Sequence, residues 1–168
     1  MNCKIRDWKI EDAEQLAEAL NNKKIQDNLR DGLPLPYTAE DARGFINAML
    51  DADKNSTFPF AITCEDRVVG SIGAFRKENI HFRTAEIGYY IAEDYWGQGL
   101  GTSALRKICE QVFSTTDIVR IFAEPFARNI ASCRILEKAG FELEGTLKKN
   151  AFKNEIYEDM KVYALIKK

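Results

Sequence analysis

The segment that decides the fold is Tyr95-Trp96-Gly97-Gln98-Gly99-Leu100-Gly101-Thr102. It places three glycines within five residues, directly before an amphipathic helix whose apolar residues run from Leu100 to Phe113. Glycine permits tight backbone turns and lets a ligand approach the main chain closely. The unpaired amides at the start of the helix add partial positive charge. The segment therefore predicts a binding site for a phosphate or pyrophosphate.

Two other interpretations of this loop remain open. It can be a glycine-rich turn that only joins a strand to a helix. Residues 99–104 also match the G-x-G-x-x-A fingerprint of dinucleotide-binding folds. In those folds the loop begins where its strand ends, whereas residues 93–98 intervene here, and no further strand-helix-strand units follow Phe141. The pattern therefore favours a phosphate site outside a Rossmann fold.

Apolar periodicity predicts strands and helices on both sides of the loop. Before it we expect a strand at 3–8, a helix at 13–20, a loop at 30–37, a helix from the capping box at Thr38 and Asp41, and strands at 58–64, 68–78 and 82–92. After it we expect a helix from Leu100, a strand at 118–124, a helix at 129–139, and strands at 141–149 and 155–166. The order β-α-α-β-β-β-α-β-α-β-β predicts a mixed α/β sheet in which only the unit at 82–124 needs parallel pairing.

Composition narrows the classes of protein to consider. A length of 168 residues favours a single domain spanning 1–168. The net charge is −2 and no Lys/Arg run exceeds two residues, which argues against nucleic acid as a partner. No apolar segment reaches the length of a signal peptide or a membrane span, so we expect a cytoplasmic protein with no membrane partner.

Cysteine and histidine usage argues against two kinds of chemistry. The four cysteines, at 3, 64, 109 and 133, have no C-x-x-C spacing, and in a reducing compartment we expect buried thiols. His81 is the only histidine, so both a metal site and a histidine-dependent nucleophile lack the residues they need.

Residues 96–101 resemble motif A of the GNAT acetyltransferases, Gln/Arg-x-x-Gly-x-Gly/Ala. Trp96 departs from that pattern at the first position, and this departure is similar to the Tyr-Trp-Gly-x-Gly of the RimJ/RimL branch. Three further stretches resemble that branch: residues 33–42, the Glu-Ile-Gly-Tyr at 86–89, and the Asn-x-x-Ser…Lys-x-Gly-Phe pattern at 129–141. The resemblance thus extends in order from 33 to 141.

The resemblance implies the GNAT fold, with splayed fourth and fifth strands, and acetyl-CoA as co-substrate without a metal. It implies a pyrophosphate site at Gly97, Gln98, Gly99, Leu100, Gly101 and Thr102. Pantetheine would pair with the backbone of Ile91 and Ala92 in the gap between the splayed strands, and a backbone amide there would face the thioester oxygen. Asn129 is implied as a further pantetheine ligand, although its type also suits a helix N-cap.

Two side chains are candidates for catalysis by direct attack of an amine on the thioester. Glu86 is the candidate base, because it is a carboxylate among the uncharged residues Ala85, Ile87, Gly88, Tyr89 and Tyr90 and shares a strand face with small residues. An ion-paired or edge-exposed glutamate is the alternative. The resemblance implies that Ser132 stabilises or protonates the departing thiolate, and a small first-turn residue is the alternative. Leu136 stands where many GNAT enzymes have a tyrosine, and Ala151 falls near the glutamate of some RimL-like enzymes.

The acceptor is expected to be a primary amine, most simply a protein or peptide N-terminal α-amine. An α-amine loses its proton more readily than a lysine side chain, which suits a site with one modest base candidate. Two alternatives remain: acetylation of an antibiotic or polyamine, and a coenzyme A-binding module without turnover. The sequence leaves both a monomer and a homodimer open.

Overall fold

The computed structural model describes residues 2–168 and contains one sheet of seven strands in the order β1-β2-β3-β4-β5-β7-β6. The strands are β1 (Cys3–Arg6), β2 (Thr57–Cys64), β3 (Arg67–Arg76), β4 (Thr84–Ile91), β5 (Arg120–Ala123), β6 (Glu142–Lys153) and β7 (Ile156–Ile166). Neighbouring strands are antiparallel except β4 and β5, which are parallel. The mixed α/β sheet predicted from the sequence is confirmed.

Five α-helices cover the sheet: α1 (Ala13–Leu20), α2 (Lys23–Gln26), α3 (Ala39–Asp51), α4 (Leu100–Thr115) and α5 (Ile130–Lys138). The capping box predicted for α3 is confirmed, because Thr38 Oγ1 accepts from the Asp41 N–H at 3.2 Å and Asp41 Oδ2 accepts from the Thr38 N–H at 2.9 Å. The short helix α2 was not predicted. Its N-cap is Asn22, whose side chain accepts from the Lys24 N–H at 2.9 Å. The helix is too short to show apolar periodicity.

Alternating residues of the central strands build a core on each face of the sheet. Phe60 and Ile62 pack on one face with apolar residues of α4 and α5, including Leu105 and Leu136. Ala61 and Val68 pack on the other face with α1 and α3. Because successive side chains of a strand point to opposite faces of the sheet, α4 and α5 pack on one face and α1 and α3 on the other.

Several strands are shorter than predicted: β1 ends at Arg6 and not at residue 8, and β5 spans Arg120–Ala123 and not 118–124. Two turns shift further strand ends. Residues Asn79–His81 form a 3-10 turn, so β3 and β4 are shorter than the pattern suggested. The last hairpin reverses at Asn154 and Glu155, which adopt positive φ values of 51° and 63°. Its first strand therefore runs to Lys153 and not to residue 149, past a break in register between Leu147 and Ala151.

The prediction of four plain thiols is wrong for one pair. Cys3 and Cys64 form a disulfide, because the antiparallel register of β1 and β2 sets them directly opposite each other with their Cα atoms 4.2 Å apart. Cys109 and Cys133 are buried free thiols, as expected.

Residues 2–168 contain neither a membrane-spanning helix nor a cluster of metal-binding side chains. No helix there has both the length and the apolar character needed to cross a membrane. The same residues contain no cluster of three or more His, Cys, Asp or Glu side chains placed to hold a metal ion.

Candidate active site

The sheet opens between β4 and β5. The two strands pair over only three positions, Thr84 with Arg120, Ala85 with Ile121 and Glu86 with Phe122. Beyond Glu86, β4 continues to Ile91 with β3 as its only neighbour, while β5 ends at Ala123. The parallel strands therefore separate and leave a gap along the second half of β4.

The backbone of β4 offers hydrogen-bonding groups to this gap. The Ala92 N–H donates to the Val69 oxygen at 2.7 Å. In an antiparallel pair, alternate residues bond to the same neighbour, so the backbone groups of Tyr89 and Ile91 point away from β3 and toward the gap. The Ile91 oxygen accepts from Trp96 Nε1 at 2.7 Å, which leaves the Ile91 N–H and both backbone groups of Tyr89 for a ligand. Ala92 is engaged on both sides, because its oxygen also accepts from the Tyr95 N–H at 2.9 Å. Of the two residues predicted to pair with pantetheine, only Ile91 faces the gap.

A cleft of about 210 Å³ occupies this gap. Both predicted catalytic side chains, Glu86 and Ser132, line it, and so does Asn129. The structure thus brings together residues from β4 and the start of α5 that are more than forty positions apart in the sequence. The remaining lining residues are Asn28, Leu29, Arg30, Phe75, Ile87, Gly88, Tyr89, Ala123, Glu124, Pro125 and Leu136.

Ser132 is held at the start of α5 by contacts with Asn129 and Tyr89, including a hydrogen bond of 3.3 Å from the Tyr89 hydroxyl to the Ser132 carbonyl oxygen. Its N–H donates to Asn129 Oδ1 at 3.2 Å, so Asn129 is the N-cap that its residue type predicted. Its Oγ lies 2.7 Å from the hydroxyl oxygen of Tyr89, on β4. Burial raises the pKa of Tyr89 to about 12, against the opposing effect of the hydrogen bond with Ser132. Tyr89 therefore stays protonated at neutral pH.

Two carboxylates line the same cleft, Glu86 and Glu124. Glu86 is half-buried and forms no salt bridge within residues 2–168. Among these residues it is therefore not the ion-paired glutamate that the sequence left open as an alternative. The carbonyl oxygen of Glu124 accepts a hydrogen bond from Arg30 Nη2 at 3.2 Å. The cleft therefore holds two carboxyl groups and the guanidinium of Arg30.

The glycine-rich loop leads into α4, on the same side of the sheet as Ser132. Gly97 and Gly99 have φ values of +74° and +78°, and a Cβ added to either would meet nothing within 4 Å. Their backbone conformation favours glycine, and the space above them is open. Gly99 is the N-cap of α4 and supplies no side chain, and no other side chain of residues 2–168 caps the helix. The first amides of a 16-residue helix are thus left for a ligand.

Gly101 is a glycine for a different reason. Its Cβ would lie 3.1 Å from Ile135 Cδ1 and 3.2 Å from Ile135 Cγ2. The absence of a side chain at Gly101 therefore allows α4 and α5 to pack closely. The open space above the loop lies at Gly97 and Gly99. Leu100 is buried in the core, so only its backbone can contribute to the loop.

The family model described as the acetyltransferase (GNAT) domain matches residues 3–142. The chain belongs to the GNAT acetyltransferase family. Members of this family use acetyl-CoA as co-substrate, and this chain is accordingly an N-acetyltransferase.

Individual relatives agree with the family match. The chain is 34% identical over 133 residues to the probable N-acetyltransferase YjcK of Bacillus subtilis, which covers 77% of this chain and 74% of that protein. It is 35% identical over 107 residues to the ribosomal-protein-serine acetyltransferase of Escherichia coli, covering 64% of this chain and 59% of that protein. These relatives bear out the resemblance to the RimJ/RimL branch.

The fold agrees with a solved structure of that branch. RimL, the ribosomal L7/L12 alpha-N-protein acetyltransferase in complex with coenzyme A, superposes with a TM-score of 0.87 at 24% identity, over 99% of this chain and 95% of that one. At this level of identity the comparison establishes the fold of the acetyltransferase.

Three segments beside the cleft of this acetyltransferase are joined by salt bridges and hydrogen bonds. The loop between α2 and α3 carries Asp31, which pairs with Lys153 on the last hairpin at 2.9 Å. Arg128, before α5, donates to the Asp27 oxygen and to Asn28 Oδ1, both at 2.6 Å, and to Glu158 Oε1 at 2.9 Å. Of the loop predicted at 30–37, Arg30 lines the cleft, while Asp31, Gly32, Leu33 and Leu35 line a neighbouring pocket together with Lys153 of the hairpin.

Sequence reasoning missed three groups of the acetyltransferase site. Tyr89 was quoted only as part of a strand motif, although a tyrosine beside the glycine of that strand could have been paired with Ser132. Arg30 and Glu124 lie in the cleft through contacts between distant segments. No local pattern in the sequence signals those contacts.

Proposed function

We propose that this enzyme transfers the acetyl group of acetyl-CoA to the α-amine of a protein or peptide N-terminus. The observation that carries the proposal is the cleft in the β4–β5 gap, where gap-facing backbone amides, a serine hydroxyl and two carboxylates converge. The names of the relatives add to it, since the Escherichia coli protein is a ribosomal-protein-serine acetyltransferase and RimL is an alpha-N-protein acetyltransferase.

The described residues fit the coenzyme. The uncapped N-terminus of α4 and the open, positive-φ glycines Gly97 and Gly99 suit a pyrophosphate. Gln98, Gly101 and Thr102 complete this loop, with their backbone as the available contact. Asn129 uses its oxygen for the cap of α5, which leaves its side-chain N–H groups for an amide of pantetheine. The N–H groups of Tyr89 and Ile91 would extend the edge of β4 to that chain.

Each chemical requirement of amine acetylation then has a residue. Glu86 takes the proton from the acceptor amine, directly or through water. A gap-facing N–H of Tyr89 or Ile91 stabilises the negative charge that develops on the thioester oxygen. Ser132 donates a hydrogen bond to the sulfur as the C–S bond breaks. The amine becomes an amide, and coenzyme A leaves as a thiolate that takes up a proton from water, while Glu86 returns its proton to solvent. No covalent acetyl-enzyme forms.

The test is a competition among three acceptors at equal concentration. These are an Ala- or Ser-starting peptide, its N-terminally blocked form with an internal lysine, and spermidine. The proposal expects the free α-amine to be acetylated fastest, with coenzyme A released in step. Faster acetylation of the lysine peptide or of spermidine would reject the α-amine acceptor while leaving the enzyme class intact.

A further inference from the structure

The contact between Tyr89 and Ser132 assigns a role to a residue outside the predicted catalytic pair. The two hydroxyl oxygens are 2.7 Å apart, at the face of the cleft that Ser132 and Tyr89 both line. They come from opposite edges of the gap, since Tyr89 is on β4 and Ser132 is on α5. The hydrogen bond therefore joins β4 to the start of α5 at the wall of the cleft.

Ser132 Oγ carries a single proton, so the role of Ser132 depends on which of the two hydroxyls donates the hydrogen bond between Tyr89 and Ser132. A serine hydroxyl carries one proton and can accept two hydrogen bonds. If Ser132 donates to Tyr89, that proton is already used and the sulfur receives nothing. If Tyr89 donates to Ser132, the serine proton is free to turn toward the cleft. The Tyr89 hydroxyl also lies 3.3 Å from the Ser132 carbonyl oxygen, which can only accept, so its proton is directed toward Ser132. Burial raises the pKa of Tyr89 to about 12, which keeps that proton in place at neutral pH.

We propose that Tyr89 is a positioning residue that donates its hydroxyl proton to Ser132 Oγ, so that the Ser132 proton points at the leaving sulfur. Tyr89 itself transfers no proton and does not contact the substrate through its hydroxyl. Its hydroxyl fixes the orientation of Ser132 and makes the serine a better donor through the shared hydrogen bond. This inference rests on the proposed function, in which Ser132 acts on the departing thiolate.

The experiment is a double-mutant cycle of Tyr89→Phe, Ser132→Ala and the combined variant, measured with the best acceptor. We expect Tyr89→Phe to lower kcat about 3- to 10-fold, the scale of one hydrogen bond, with little change in the KM for acetyl-CoA. In the Ser132→Ala background the same change should have no further effect, because Tyr89 acts only through the serine. Equal effects of Tyr89→Phe in both backgrounds would overturn the proposal and give Tyr89 a purely structural role.

Tyr90→Phe is the matched control. Tyr90 is the next residue of β4 and is also partly buried, but it packs with α1 and α3 on the opposite face of the sheet, away from the cleft. It should keep the kcat of the parent. Melting temperatures of all variants exclude misfolding as the cause of a lower kcat.

The outcomes separate this inference from the proposed function. If Ser132→Ala has the kcat of the parent, the role of Ser132 fails and Tyr89 has nothing to position. If Ser132→Ala is slow but Tyr89→Phe matches the parent, only the role of Tyr89 is rejected.

Discussion

Trp96 Nε1 donates a hydrogen bond of 2.7 Å to the carbonyl oxygen of Ile91. This bond ties the start of the glycine-rich loop to the end of β4, at the point where β4 faces the gap. Trp96 stands at the position where motif A of the family has Gln or Arg. The indole therefore connects the pyrophosphate half of the proposed site to the pantetheine half.

Trp96→Phe should weaken acetyl-CoA binding. The change removes the donor but keeps an aromatic ring, and the side chain is half exposed, so little core packing is lost. We expect a rise in Kd of about 3- to 10-fold, the equivalent of a hydrogen bond of about 1 kcal/mol. Isothermal titration calorimetry measures it. Trp8→Phe is the control, because the buried Nε1 of Trp8 has no hydrogen-bond partner within residues 2–168, and it should leave Kd unchanged.

Gly99→Asp should abolish acetyl-CoA binding while the protein stays folded. The new carboxylate would stand in the open space above the loop and repel the pyrophosphate. Gly32→Asp is a matched control, since Gly32 also has a positive φ, of +114°, and an open Cβ direction, but lies in the loop between α2 and α3. Both variants should lose about 1 kcal/mol of stability from backbone strain. Unchanged calorimetric affinity in Gly99→Asp would refute the loop assignment.

Glu86→Gln should slow acetyl transfer, and Glu124→Gln should slow it less. Both carboxylates line the cleft, so the pair compares two equal losses of charge in one site. We expect kcat of Glu86→Gln to fall about 10- to 100-fold if it acts as base, with acetyl-CoA affinity retained. Steady-state kinetics across pH measure the effect. A larger loss in Glu124→Gln would transfer the role of base to that residue.

Asp12→Asn should lower the free energy of unfolding at neutral pH and make it fall less as the pH decreases. Asp12 is buried and accepts two hydrogen bonds of 2.8 Å from Arg6 and one of 2.9 Å from the Lys9 N–H. Burial alone would raise the pKa of Asp12, but these bonds outweigh it and lower the pKa below its ordinary value. The lowered pKa adds stability above about pH 4, and this stability is lost as the pH falls through the folded-state pKa.

The expected loss in Asp12→Asn at neutral pH is about 1.5–3 kcal/mol, the value of hydrogen bonds to a charged group. Urea unfolding at pH 7 and at pH 3 measures it, and the difference from the parent should shrink at the lower pH. Asp66→Asn is the control, because Asp66 pairs with Lys4 while its side chain remains 85% exposed, and its loss should be small. An unchanged pH dependence in Asp12→Asn would contradict the linkage.

The sequence predicted those parts of the fold that depend on short-range patterns. Glycines before an amphipathic helix, a capping box at Thr38 and period-two strands all reflect local backbone preferences, and each is present in the structure. Glu86 was a candidate because of its uncharged neighbours and Ser132 because of the family resemblance, and the structure brings both to the same cleft.

The remaining features depend on register between distant segments, which sequence periodicity does not encode. The Cys3–Cys64 disulfide follows from how β1 meets β2. The hydrogen bond of Tyr89 with Ser132 follows from the width of the β4–β5 gap. Ala92 was expected to face pantetheine, but a one-residue alternation in hydrogen bonding turns it toward β3.

The three residue pairs between β4 and β5 are the only strand pairing that joins β1–β4 to β5–β7 within residues 2–168. The apolar core under α4 and α5 also spans both parts of the sheet, and Gly101 packs on Ile135 between these two helices. A ligand seated in the opening would contact β4 on one side and the start of α5 on the other. Its binding would add contacts between two parts of the sheet that share few backbone hydrogen bonds, so bound coenzyme should raise the stability of the enzyme.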